Sequence, residues 1–184
     1  MKLFNIFRNK WTAFYHEDDY LQIEILPCEN SAILEDESDR VDAFSKENFD
    51  GQGLTDMYVR NSANKVELSQ RAINISDLEI ILSSMGMDRT EKVVTGYGQS
   101  YRISHNNCIA YGKEYHVIYF DFEGEIVQHI WITQPWLMNQ ERLIDCLYNL
   151  GLKWDLLLQD WNLLETIDLK NKKAIIDYLK PNEE

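Results

Sequence analysis

YHVIYFDFEGEIVQHIWIT, residues 115–133, is the stretch that decides the fold class. Its arms, Tyr115 to Phe122 and Glu125 to Thr133, are rich in β-branched and aromatic residues and flank a turn at Glu123-Gly124, the pattern of a β-hairpin. A hairpin implies antiparallel pairing. Residues 92–104 and 107–111 also read as strands, and 56–60 as a short one. From Tyr20 to Pro27, Leu21, Ile23 and Ile25 alternate with Gln22 and Glu24. That is the period of a half-buried strand, which Pro27 should end.

Helices punctuate these strands. Ser76-Asp77-Leu78-Glu79 forms a capping box, Leu78, Ile81, Leu82 and Met85 follow at helical spacing, and Gly86 supplies a left-handed stop, which predicts a helix over 76–86. Leu143, Ile144, Leu147 and Leu150, between a cap at Asn139 and Gly151, predict a second. Asp168 is expected to cap a last helix that buries Ala174, Ile175, Tyr178 and Leu179 and stops at Pro181. Residues 152–159 read as a strand, although Leu156-Leu157-Leu158 suits a buried helical turn equally well. The expected architecture is an α+β domain over 1–184, with an antiparallel sheet of about five to seven strands and helices packed on one face.

Composition fits one globular domain. Of 184 residues 45% are hydrophobic and 12% aromatic, with only 3 prolines, which excludes a disordered chain. The net charge of −13 and pI near 4.7 argue against direct binding of nucleic acid or anionic lipid. No stretch reaches the roughly 18 apolar residues of a membrane span. Leu3 to Phe7 falls short of the central run of about 7 to 15 apolar residues in a signal peptide, so a cytoplasmic protein is expected. Cys28, Cys108 and Cys146 lack the close spacing of a zinc or redox motif and read as reduced thiols, and no cofactor is implied.

The charge is uneven. Residues 14–56 carry 13 acidic and 2 basic side chains, a net of −11. Within them, 29–56 holds Glu35, Asp36, Glu37, Asp39 and Asp42, then Gly51 and Gly53, without sustained periodicity, and reads as a long, solvated, mobile connection. Charge runs commonly serve only solubility, but this density imposes a repulsion that a cationic partner relieves, and it would steer that partner in. The candidate partner-binding residues are therefore Glu17, Asp18, Asp19, Glu35, Asp36, Glu37, Asp39 and Asp42, with Tyr15 and Tyr20 as aromatic anchors. Nucleases are a natural complement, since they are frequently cationic to hold a polyanion.

Other constellations are weaker. His16-Glu17-Asp18-Asp19 offers imidazole and carboxylate ligands, which raises the alternative of a metal-dependent hydrolase, but neighbours in an extended segment point apart. His105 and Cys108 place an imidazole near a thiol, although Asn106-Asn107 between them is turn chemistry. His116 and His129 sit on opposite arms of the hairpin. Gly96-Tyr97-Gly98 lacks the strand-to-helix context of a phosphate loop. Tyr115, Tyr119, Phe120, Phe122, Trp131 and Trp136 suit a core or a pocket. A scaffold or regulatory module is a further alternative.

Phe14 to Pro27, Asp160-Trp161, and Thr166 to Leu169 leading into Lys172 to Leu179 resemble bacterial immunity proteins of contact-dependent growth inhibition and other polymorphic toxin systems. The resemblance covers those segments alone and transfers no residue roles. It implies a small cytoplasmic protein that works by protein–protein interaction, neutralising one cognate toxin domain, and that is not an enzyme.

Overall fold

The computed structural model describes residues 11–61, 64–97 and 102–180. In chain order the elements are β1 (Ala13–His16), β2 (Ile23–Pro27), α1 (Ser31–Glu47), α2 (Ile75–Ser83), β3 (Asp88–Thr90), β4 (Val93–Gly96), β5 (Ile103–His105) and β6 (Cys108–Lys113). There follow β7 (His116–Glu123), β8 (Ile126–Thr133), α3 (Gln140–Trp154), β9 (Leu156–Asp160), β10 (Glu165–Asp168) and α4 (Lys172–Leu179). The fold is α+β. Seven strands form one antiparallel sheet in the order β10-β9-β2-β8-β7-β6-β3, and β1-β4-β5 form a second, in which β1 runs parallel to β4.

The hairpin of β7 and β8 lies near the centre of the large sheet. Gly124 takes the left-handed turn conformation at φ +60°, which a residue without Cβ adopts freely. Tyr119 lies opposite Trp131 and Phe120 opposite Ile130. Pleating sends each pair to its own face. On one face Ile25, Ile118, Phe120, Ile130 and Leu158 pack with Leu78 and Leu82 of α2, Leu143 and Leu147 of α3, and Ile175 of α4. On the other, Val117, Tyr119 and Trp131 pack with Ala13 and Tyr15 of β1 and Val93 of β4. Leu26 and Leu157 meet Leu34 of α1 there. Three helices thus cover one face, while α1 and the small sheet cover the other.

Several local expectations change. Of the 29–56 segment expected as a mobile connection, Ser31–Glu47 is the 17-residue helix α1, held by the ion pairs Asp36–Arg40 at 2.6 Å and Asp42–Lys46 at 2.5 Å, and the rest after it is loop. Residues 56–60 form no strand; Tyr58 instead packs on Phe44 and donates its hydroxyl to Glu37. The cap of α2 is Asn74, whose side chain accepts from the Ser76 amide at 3.1 Å, so this helix starts ahead of the expected box. Likewise Asn171, not Asp168, caps α4. Asn139 caps α3 as expected, and that helix runs on to Trp154, so only 156–159 of the expected 152–159 strand is β, and the strand extends to Asp160. Strand β2 is buried along its whole length, because the sheet is covered on both sides. Gly98, Pro181 and part of the 92–104 strand lie outside the described residues.

Candidate functional site

The acidic residues sort onto two elements. Glu17, Asp18 and Asp19 form a short 3-10 turn after β1, in which His16 accepts from the Asp18 amide and Asp19 from the His16 amide. This cap commits the His16 side chain to the Asp18 amide and the Asp19 side chain to the His16 amide and does not converge them as metal ligands. Along α1, Glu35, Asp36 and Asp39 are exposed and Asp42 is half-buried. Glu37 faces inward and is 2% exposed, accepting from the Tyr58 hydroxyl at 3.1 Å and the Asn61 amide at 2.7 Å, so it is withdrawn from the proposed contact surface. Burial was decided by helical phase: Leu34, Glu37 and Ser38 share the inner face.

The chain after α1 exposes an apolar set that the sequence did not single out. Phe49 and Leu54, each 58% exposed, close a loop after α1. Met57 and Val59 are 81% and 82% exposed. Tyr58, between them, is turned toward α1 by its bond to Glu37, and alternation in an extended chain sends its neighbours outward. The available signal was Gly51 and Gly53 set among these apolar residues, a turn with no apolar surface assigned to cover it.

A second feature is a recess of 360 Å³ on the face of the large sheet that meets β1. Tyr15, Tyr20, His105, Cys108, Asp121 and Trp131 are among its walls, with Glu17 at the rim. Tyr15 is 5% exposed and packs on Tyr20, His105, Tyr119 and Trp131, so it is a wall of the recess and cannot insert into a partner as a surface anchor. A β-bulge after Asp121 sets that residue opposite His129. His129 Nδ1 lies 2.9 Å from Asp121 Oδ1, and the Tyr20 hydroxyl donates to Asp121 Oδ2 at 3.3 Å. The carboxylate hydrogen bond raises the His129 pKa above the usual imidazole value. Burial pushes Tyr15 up to about 12, and burial together with Asp121 holds Tyr20 protonated as well.

The thiols are not poised for nucleophilic attack. Burial, then Asp121, pushes the Cys108 thiol far above its ordinary value, and the His105 ring nitrogen pairs with the Tyr15 hydroxyl at 3.3 Å. His116 pairs with Lys113 on β6 and His129 with Asp121, so the two histidines do not face each other. Among the described residues, Cys28, Glu29 and Asp155 bring three possible ligand atoms within 4.8 Å of one another, but Arg71 already pairs with Glu29 and Lys170 with Asp155. Two resident cations at the same carboxylates oppose a metal ion. No helix among the described residues is long and apolar enough to cross a membrane. Comparison with protein families, curated proteins and solved structures finds no match for this chain.

Proposed function

We propose that this protein is a non-catalytic immunity protein, acting in the cytoplasm, that binds and neutralises a cognate cytotoxic effector with a cationic, nuclease-type domain. The observation that carries this reading is α1 and the chain that follows it, where Glu35, Asp36 and Asp39 stand exposed on the helix and the apolar side chains Phe49, Leu54, Met57 and Val59 stand exposed after it. Interfaces join a desolvated apolar centre, which supplies most of the affinity, to a charged rim, which sets the encounter rate. A surface held by ion pairs and by the Tyr58–Glu37 bond is also ordered before binding, which lowers the entropic cost of docking.

Co-expression tests the reading. Cells producing the toxic product of a gene adjacent to its own should survive when this protein is present, and the exposed double substitution Met57→Asp with Val59→Asp should abolish survival while leaving the protein folded. Death of cells carrying the unaltered protein, or full protection by the double variant, would contradict it.

A further inference from the structure

We propose that the recess between the small and large sheets binds a small organic ammonium ion, a property separate from the α1 surface. Three aromatic rings pack on one another at its wall, with Tyr20 and Trp131 centroids 5.0 Å apart, Tyr15 and Trp131 5.4 Å, and Tyr15 and Tyr20 6.2 Å; Tyr15 and Trp131 are buried and Tyr20 is half-buried. Aromatic faces carry negative potential and attract ammonium groups, most strongly where water is excluded. Two carboxylates, Asp121 and Glu17, line the same space, and among the described residues neither lysine nor arginine lines it. The local field therefore favours a cation. The His129 imidazole and the Tyr20 hydroxyl fix the orientation of the Asp121 carboxylate.

The rest of the wall sets the size and the polarity of the guest. Thr95, His105 and Asn107 supply hydrogen-bonding groups on one side, while Cys108 is buried and protonated and contributes an apolar patch. At 360 Å³ the recess holds a choline-sized group but not an extended peptide. The same chemistry reaches it from a free metabolite with a methylated ammonium head or from a lysine side chain of another protein.

Titration of the full chain at pH 8, followed by the indole and imidazole proton shifts, distinguishes these sources and tests the site. The probes are choline, its neutral carbon isostere 3,3-dimethylbutan-1-ol, and N-acetyl-lysine amide. Saturable binding of choline or of the lysine derivative, about tenfold tighter than that of the neutral isostere, is expected. Whichever ammonium binds more tightly identifies the source. Glu17→Gln at the rim should weaken binding by several-fold without altering the thermal melt, and Asp121→Asn should weaken it further. Absence of saturable binding by both ammonium probes, equal binding of the isostere, or an unchanged affinity in Glu17→Gln and Asp121→Asn would overturn the proposal. Substitutions at Met57 and Val59 should leave it untouched.

Discussion

Trp161 and Glu24 meet beneath α1, where the indole Nε1 donates to Glu24 Oε1 at 2.8 Å and the carboxylate is 7% exposed. Arg60 lies over the same ring at 4.6 Å. Trp161→Phe would strip a buried carboxylate of its donor, and the expected cost is about 2 kcal/mol in chemical denaturation. A loss below about 0.5 kcal/mol would show that this bond contributes little. His129 behaves differently because it titrates. Its pKa is raised in the folded state, chiefly by the Asp121 hydrogen bond, so the pair stabilises fully below about pH 6.5, the unfolded value, and that contribution is lost as pH rises through the folded value. Asp121→Asn should lower the His129 titration midpoint, read by proton resonance, and remove this part of the pH dependence.

The helix caps separate what the sequence disclosed from what it concealed. Asn74→Ala should destabilise the protein by about 1 kcal/mol, and Ser76→Ala by less, since Asn74 accepts the orphan amide at the start of α2. Equal losses in thermal or urea melts would restore the expected box. The hairpin of β7 and β8 was legible because alternation, β-branched residues and Gly124 all favour one structure. Helix α1 was hidden because two of its inward positions, Glu37 and Ser38, are polar, so no apolar stripe marks its phase. Strand β2 misled in the opposite direction: Glu24 looks like an outward residue, yet α1 and the chain around Trp161 cover it. The acidic charge of the candidate site could be counted in the sequence, but only tertiary packing sorts Asp39 outward from Glu37 inward.

At the scale of the molecule, the small sheet and α1 divide one face of the large sheet, the first beside an aromatic recess and the second with an acidic outer side. Asp36 and Asp42 are partly neutralised by Arg40 and Lys46 within α1, so Glu35 and Asp39 should dominate the field that a partner meets. Long-range steering of this kind is screened by salt, whereas apolar contacts are not. The most direct measurement is the association rate with the proposed toxin domain, taken from the product of an adjacent gene, across ionic strength, for the unaltered protein and for Glu35→Lys with Asp39→Lys. The rate should fall by about tenfold or more in the variant at low salt and the two curves should converge at high salt. Identical rates at every salt concentration would contradict an α1 surface that works by attracting a cation-rich partner.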